Sequence, residues 1–209
     1  MFKFNKKVHS ASGFSLIEVL IAISVLVIGL LGVALTMTSS LSSTGQSKYM
    51  SMSAILASEK LEDLNRWPTK DPNVYVAPGG TAGSLTADVG GNVTVGTSTQ
   101  YVSYYDQIAM TATGLVSGSG TQGVFIEVVS GKDSTGAPVY TVTSHSPDGL
   151  ISTTTTSTLP TVQTTFERRW LIEQDLPING VKRVTVLVRS LNSAAIQQPV
   201  NFQMSMVRP

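Results

Sequence analysis

One carboxylate lies within a long apolar run near the start of the chain. Between Phe14 and Ser47 the only formally charged side chain is Glu18, and the segment 19–35 is almost wholly apolar. An ionisable group inside an apolar helix is costly unless it finds an opposite charge or reaches the membrane surface, and it often marks function. Glu18 is therefore the first candidate for a residue whose chemistry the protein uses.

The rest of the composition offers little for catalysis. The 209 residues include no cysteine and two histidines, His9 and His145. Thiolate nucleophiles, disulfides and cysteine-ligated metals are excluded, and a multi-histidine metal site is hard to build. The formal net charge is only +1, which argues against nucleic acid as the main partner. The sequence predicts no catalytic residue, no metal site and no cofactor, and so a protein that is not an enzyme.

The apolar segment is long enough to cross a membrane. Counted from Phe14 it exceeds 20 residues, and a helix of about 20 residues spans the apolar core of a bilayer. Three lysines lie within the first seven residues, and the next basic residue is Lys48. By the positive-inside rule, the N-terminus lies in the cytoplasm and the chain after about residue 40 lies outside.

Three simpler interpretations compete at this point. A secretory signal peptide has a shorter apolar core, of about 7–15 residues, and a small-residue cleavage site that is missing here. A plain signal anchor explains the length and the charge but gives Glu18 no role. In such an anchor Glu18 could also simply reach the membrane interface.

The string GFSLIEVL at residues 13–20 resembles the processing site of type IV prepilins. That site has a short basic leader ending in glycine, then phenylalanine, with glutamate as the fifth residue of the mature chain. The resemblance implies that residues 1–13 are a leader and that prepilin peptidase cuts between Gly13 and Phe14. It implies that the same enzyme methylates the new amino group, so that the mature chain begins with N-methylphenylalanine.

This resemblance gives Glu18 a physical role. After cleavage, Phe14 carries a positive amine at the edge of the apolar helix. When subunits stack helix against helix, the carboxylate of Glu18 can pair with that amine on a neighbour, and both charges would otherwise be uncompensated in an apolar bundle. The pair is expected to set subunit register more than to add stability.

Looser similarities point to minor pilins of the PilV type, the pilus modification proteins. They lie in the run Ile21–Gly32, the stretch ASEKLE at 57–62, and the segments 166–170 and 181–186. They imply a low-abundance subunit that takes part in assembly, initiation or modification of a type IV pilus, with motility, adhesion or DNA uptake as possible outputs. No proline interrupts the membrane helix and no cysteine pair closes a C-terminal loop, which argues against a major pilin.

The implied partners follow from the same resemblance. They are prepilin peptidase, other major and minor pilins through the N-terminal helix, an inner-membrane assembly platform, and the membrane itself before assembly. The implied location is the bacterial inner membrane, with the head in the periplasm, and then the pilus. The alternative is a pseudopilin of a type II secretion system, which uses the same leader and helix in a short periplasmic pseudopilus.

The fold class expected from this resemblance is α+β and pilin-like, with a long N-terminal helix packed on a C-terminal antiparallel sheet. Its membrane half is predicted at 14–40 and its amphipathic half at 41–67, ending at Trp67-Pro68. Gly29 and Gly32 permit either local unwinding or close helix packing. Charged residues, Lys60 among them, are predicted to lie away from an apolar stripe, which consists of Met50, Ala54, Ala57, Leu61 and Leu64.

The remaining chain is predicted to be β-rich. Residues 68–122 are rich in Gly, Pro, Ser and Thr and are expected to form a connecting region with a hairpin or two. Residues 123–209 are expected to form the antiparallel head, with Trp170 in its core, His145 in a solvated loop and the run 152–158 as a mobile loop. Five strands are predicted, at 124–129, 139–143, 166–172, 181–189 and 200–206.

Two turn segments contain oxygen donors that could serve Ca²⁺, at 132–136 and 147–149. Neither has the ligand density of a dedicated calcium loop, and hairpin turns are the simpler interpretation.

Overall fold

The structure is a computed structural model that describes residues 14–111, 124–146, 149–160, 165–191 and 199–209. Gly13, at the end of the predicted leader, lies outside the described residues, as do Pro147 and Asp148 of the second candidate turn. The chain divides into two units, Met1–Ser43 and Thr44–Pro209. We call the second unit the head.

One helix and ten strands make up the regular structure of the described residues. In chain order they are α1 (Leu16–Arg66), β1 (Thr81–Gly83), β2 (Gly90–Val95), β3 (Ser98–Ser103), β4 (Tyr105–Thr111), β5 (Val124–Lys132), β6 (Pro138–His145), β7 (Ile151–Thr156), β8 (Phe166–Gln174), β9 (Lys182–Ser190) and β10 (Asn201–Arg208).

The first unit contains the apolar part of α1. Many of its residues are β-branched and two are glycine, so intrinsic propensity favours the helix only weakly, and hydroxyl groups in it bond back to the helix backbone. Ser24 donates to the carbonyl of Leu20 at 2.9 Å and Thr38 to that of Ala34 at 3.0 Å. These bonds satisfy polar groups without water, which suits a segment that must lie in an apolar medium.

The helix ends at Arg66, directly before Trp67-Pro68, so the predicted end is confirmed. Its last turn carries an i,i+4 ion pair, in which Arg66 donates to Glu62 at 2.8 Å. Proline cannot donate a backbone hydrogen bond and disfavours the helical conformation of the residue before it, which explains why the helix stops here.

Eight strands of the described residues form one antiparallel sheet. Its order is β10-β9-β8-β4-β5-β6-β7, and β1 pairs separately with β8. Strands β2 and β3 form a two-stranded hairpin of their own. The α+β fold class, with the helix packed on a C-terminal antiparallel sheet, is confirmed.

The late strands predicted at 181–189 and 200–206 are present as β9 and β10, and apolar side chains alternate along them. Val184, Val186 and Val188 of β9 are fully buried, and on β10 the apolar side chains at alternate positions pack against the same core. Trp170 belongs to this core. An antiparallel sheet with one covered face buries every second side chain, which explains the pattern.

The helix face that packs on the sheet differs from the predicted stripe. Met50 is 40% exposed, so its assignment to the buried stripe is wrong. Lys60 was expected to face solvent, but it is buried, because the sheet presents carboxylates at this point. The buried helix residues are Ser53, Leu56, Ala57, Lys60, Leu61 and Leu64.

The prediction of a mobile loop at 152–158 is also wrong, because residues 151–156 form β7. This edge strand pairs with β6 from Tyr140↔Thr156 to His145↔Ile151. Threonine is β-branched and fits a solvated strand well, so a threonine run at a sheet edge needs no apolar alternation. The region 68–122 contains the β2–β3 hairpin, and it also contributes β1 and β4 to the main sheet.

Two buried cations tie the end of the helix to the last strands. Arg208 of β10 donates to the carbonyl oxygens of Leu64 at 2.7 Å and Trp67 at 2.8 Å. Lys182 of β9 donates to those of Thr69 at 2.8 Å and Val74 at 2.9 Å. Carbonyl groups at a helix C-terminus lack partners within the helix, and cations there are favourable.

Two glycines with the same backbone angle allow a matched test of the packing. Gly83 and Gly136 both have φ of 85°. A Cβ at Gly83 would clash with the carbonyl oxygen of Trp170 and would lie 3.0 Å from the Cβ of Tyr104, whereas a Cβ at Gly136 would meet nothing within 4 Å.

We expect Gly136→Ala to cost about 1–2 kcal/mol, the strain of a left-handed alanine. Gly83→Ala should cost about 1–3 kcal/mol more, because the β1–β8 pairing must also move. Urea denaturation of the full chain in detergent measures both. Equal losses for the two variants would contradict the close packing of β1.

Candidate functional site

The first candidate site is the start of α1. The chain enters the helix at Ser15, whose carbonyl oxygen accepts hydrogen bonds from the backbone N–H groups of Glu18 at 3.0 Å and Val19 at 3.2 Å. Glu18 lies in the first turn, where a carboxylate is favourable beside the unpaired N–H groups. Ser15 and Glu18 also have the spacing of a capping box. The structure therefore places Glu18 at a helix start rather than at mid-span.

Phe14 precedes the helix and is 81% exposed. The backbone at Phe14 therefore lies outside the hydrogen-bonded helix, since α1 begins only at Leu16. Gly29 and Gly32 lie within the continuous helix, and a Cβ at either position would meet nothing within 4 Å. The helix surface is open at both glycines.

The apolar side chains of the first unit are exposed in the single chain. Large side chains such as Leu20, Ile28 and Leu35 each leave more than half of their surface uncovered. Among the described residues, α1 is the one helix long and apolar enough to cross a membrane. An apolar surface of this extent requires either lipid or other protein to cover it.

The second candidate site is a cluster of buried charges between α1 and the sheet, centred on Arg168. This side chain is 1% exposed. It donates to both carboxylate oxygens of Asp106, Nε to Oδ1 at 2.8 Å and Nη2 to Oδ2 at 2.9 Å, and Nη1 donates to the carbonyl of Leu56 at 3.1 Å. Two-point pairing of this kind is the strongest arrangement available to an arginine.

Lys60 brings a second cation into the same cluster from the helix. Its Nζ lies 3.2 Å from Asp106 Oδ2 and 3.2 Å from Glu127 Oε1. It also lies 4.3 Å from the centroid of the Trp170 ring, a cation–π distance. Glu127 in turn lies 3.1 Å from Nη2 of Arg168. Two cations and two carboxylates thus come from α1, β4, β5 and β8.

His145 and Glu59 border the cluster. The imidazole stacks on Phe125 with ring centroids 4.1 Å apart. Its Nδ1 lies 3.7 Å from Glu59 and its Nε2 lies 3.7 Å from Glu127. The prediction of a solvated loop for His145 is wrong, because the residue ends β6 and its side chain packs beneath the helix.

The cluster shifts the protonation of its members. Burial by itself lowers the pKa of Lys60, but the carboxylates of Asp106 and Glu127 raise that pKa above its ordinary value. Burial likewise opposes ionisation of Glu127, yet Lys60, His145 and Arg168 together hold the pKa of Glu127 below its ordinary value. Glu59 and Asp106 differ from Glu127, because burial raises the pKa of each of their carboxyl groups despite the neighbouring cations.

The chemistry of this cluster is that of a structural ion network. Its cations pair with its own carboxylates at 2.8–3.2 Å. Within the described part of the chain, no group of three or more metal-ligating side chains is placed to hold an ion. At the first candidate turn, Asp133 accepts from the backbone N–H of Thr135 at 2.8 Å and of Ala137 at 2.9 Å, as in a hairpin turn.

Sequence reasoning missed this cluster, although one signal of it was present. Arg168 interrupts the apolar alternation of Phe166, Trp170 and Ile172, and an arginine at an inward strand position requires a buried carboxylate. Asp106 occupies an equivalent inward position between Tyr104 and Ile108. Pairing the two from sequence needs the knowledge that β4 lies beside β8.

Comparison with known proteins bears on the first site. Residues 9–34 match the family model described as the prokaryotic N-terminal methylation motif. This motif overlaps the start of α1 and indicates a type IV pilin-like or pseudopilin protein, and the helix packed on an antiparallel sheet matches the pilin-like layout. The match supports recognition of the chain as a type IV prepilin.

The match has general consequences for the chain. It implies processing by prepilin peptidase and assembly with pilins, and it is consistent with anchoring in the inner membrane. The motif is that of a structural family and not of an enzyme family. Comparisons with curated proteins and with solved structures give no match.

The ion network makes a prediction that separates a buried pair from a surface pair. Arg168→Leu leaves the charge of Asp106 poorly compensated and should cost about 3–5 kcal/mol of unfolding free energy. The double variant Arg168→Leu with Asp106→Leu should recover most of that loss. Arg66→Leu is the surface control, since Arg66 and its partner Glu62 are 73% and 69% exposed, and it should cost about 1 kcal/mol or less. A double variant no better than Arg168→Leu would contradict this account.

Glu127 predicts a dependence of stability on pH. Its folded pKa lies below the ordinary 4.5, so its contribution is present above pH 4.5 and is lost as the pH falls. The denaturation midpoint should therefore drop on acidification, and Glu127→Gln should flatten that slope. Glu62→Gln, on the exposed side of α1, should leave the slope unchanged.

The same network acts in the opposite sense at high pH. The folded pKa of Lys60 lies above the ordinary 10.5, so its contribution is full below pH 10.5 and is lost as the pH rises further.

The outcome against the Glu127 prediction concerns the acid side. If the denaturation midpoint of Glu127→Gln fell on acidification as steeply as that of the unchanged chain, the network would not be holding this carboxylate ionised.

Proposed function

We propose that the chain is a minor pilin, a low-abundance subunit of a type IV pilus that takes part in pilus assembly, initiation or modification. The observation that carries the proposal is the methylation motif at residues 9–34 at the start of a helix whose apolar surface is uncovered. The resemblance to PilV-type minor pilins, and the lack of cysteine, favour a minor over a major subunit.

The domain plan of this proposal follows the helix and the head. Residues 1–13 are the leader, 14–40 the membrane and filament-core half of α1, and 41–67 its amphipathic half. Residues 68–122 connect the helix to the antiparallel head at 123–209, with some of their strands completing its sheet.

Processing takes place between Gly13 and Phe14. Water adds across this peptide bond in the peptidase, which leaves a carboxylate on Gly13 and an amino group on Phe14. That amine then takes a methyl group from a sulfonium methyl donor, which departs as a neutral thioether while the amine loses a proton. Support comes from the start of α1 at Leu16 and from the exposure of Phe14. A peptide bond outside the helical hydrogen bonds can enter a protease site without first unwinding a turn.

Glu18 sets the register of assembly. In the single chain it is exposed in the first helical turn, four residues after the new amine. In a bundle of apolar helices, both charges are costly unless each finds the other on a neighbouring subunit. An axial offset between neighbouring helices that brings the Phe14 amine to the Glu18 carboxylate removes that cost, and other offsets do not.

Gly29 and Gly32 serve the packing of neighbouring helices. They lie three residues apart on an open stretch of α1, and small residues allow helix backbones to approach closely in an apolar medium. Local unwinding of the helix in the assembled filament is the alternative role for these two glycines.

A pseudopilin of a type II secretion system is the second candidate, because the methylation motif serves both kinds of subunit. The two are separated by where the mature protein is found. A minor pilin copurifies with sheared pili, whereas a pseudopilin stays in the envelope and its deletion blocks secretion of a periplasmic enzyme.

The test of processing is the intact mass and N-terminal sequence of the protein purified from the envelope. We expect a chain that begins at Phe14 and is heavier by one methyl group. A chain that begins at Met1 would indicate a plain membrane anchor, and cleavage near residue 38 would indicate an ordinary secreted β-protein.

Glu18→Ala tests the register role. The variant should be cleaved and methylated normally but should be lost from sheared pili, because the amine of Phe14 then has no partner. Ser24→Ala, also exposed on α1, is the matched control and should assemble normally. Normal incorporation of Glu18→Ala would overturn the pairing role while leaving the pilin assignment intact.

A further inference from the structure

A cleft of about 470 Å³ opens on the head. It lies between the end of α1, the β2–β3 hairpin and the β5–β6 pair. Trp67 and Tyr101 provide aromatic surface on it, and Gln100, Ser130 and Thr141 provide amide and hydroxyl groups. The volume falls within the roughly 300–1,000 Å³ that is usual for small-molecule sites.

The aromatic wall at the helix end is fixed in place by other parts of the head. The backbone carbonyl of Trp67 accepts a 2.8 Å hydrogen bond from Arg208, and the carbonyl of Thr69 accepts one of 2.8 Å from Lys182. The Trp67 side chain itself is 39% exposed. A partly exposed ring on a constrained backbone can bind a ligand at a low cost in ordering.

The second aromatic wall depends on a glycine. Tyr101 crosses over Gly90 on the paired strand, and a Cβ at Gly90 would clash with the Tyr101 hydroxyl group. Gly90 and Tyr101 thus fit together only because the glycine lacks a side chain. Nζ of Lys132 lies 5.7 Å from the centroid of the Tyr101 ring and borders the cleft.

The charges of the cleft balance. Lys60 and Lys132 supply two cations, and Asp63 and Glu127 supply two carboxylates. Lys60 is already taken up by Glu127 and Asp106 at 3.2 Å each. An anionic ligand would meet the carboxylates and a cationic ligand would meet the lysines, so the cleft favours a polar ligand without net charge.

We propose that this cleft binds a short neutral oligosaccharide. A sugar ring presents C–H groups on its faces, which pack on Trp67 and Tyr101, and hydroxyl groups at its edge, which both donate and accept. Gln100, Ser130 and Thr141 offer matching donors and acceptors. This inference does not depend on the proposed role in a pilus, since it uses the geometry of the head alone.

The chain carries its own reporter for this site. Its two tryptophans are Trp67 and Trp170, and both line the cleft. The experiment is a titration of tryptophan emission in the full chain, held in a detergent without a sugar headgroup, against maltotriose, cellotriose, mannotriose and N-acetylchitotriose. A heparin tetrasaccharide and tetra-alanine serve as the charged and the peptide probes.

We expect a saturable shift with at least one neutral saccharide. Tyr101→Ala should weaken that binding about tenfold, equivalent to about 1.4 kcal/mol. Tyr105→Ala is the matched control, a half-buried tyrosine that does not line the cleft, and should bind as the unchanged chain does. Gln100→Ala removes an exposed side chain, so this variant should fold normally, and it should weaken binding several-fold.

Three outcomes would overturn the proposal. The first is no saturable shift with any of the four neutral saccharides. The second is a response only to the heparin fragment or to tetra-alanine. The third is a saccharide response that both Tyr101→Ala and Gln100→Ala leave unchanged.

Discussion

The two-point pair of Arg168 with Asp106 joins β8 to β4 within the sheet and is the centre of the charge cluster beneath α1. The guanidinium also reaches the carbonyl of Leu56 on α1 at 3.1 Å, and Lys60 enters from the same helix to Asp106 and Glu127. Any one of these charges buried alone would cost several kcal/mol. Together they make the docking of α1 favourable in one register, which an apolar interface alone would specify less sharply.

The two parts of the helix are stabilised in different ways. The part of α1 in the first unit has an apolar surface on all sides and bonds hydroxyl groups to its own backbone, so its stability requires lipid or other helices around it. Its second part packs within a head that has a core of its own. A pilin-like subunit needs an apolar helix surface and a head with its own core, because its helix must leave one apolar environment for another while the head stays folded.

Several features followed from sequence alone because they depend on local chemistry. Proline after Trp67 ends the helix, and alternation in β9 and β10 marks the buried face. Glu18 is conspicuous because nothing else in its surroundings carries charge. In each case the residues that decide the outcome lie within a few positions of one another.

The features that sequence did not predict depend on partners far along the chain. Lys60 was placed away from the apolar stripe by its spacing along the helix, and Asp106 and Glu127 make its burial favourable. His145 packs on Phe125 through the pairing of β5 with β6. The cleft combines residues from the helix end, a hairpin and two further strands, so no single segment carries its signature.

The last strand completes structures that begin much earlier in the chain. Arg208 supplies hydrogen bonds to the carbonyl groups at the end of α1, and these groups have no helical partners of their own. The same bonds fix the wall of the cleft at Trp67. The end of the helix and the geometry of the cleft therefore both depend on contacts from β10. Because one side chain makes both contacts, Arg208 of β10 supports the end of the helix and one side of the cleft together.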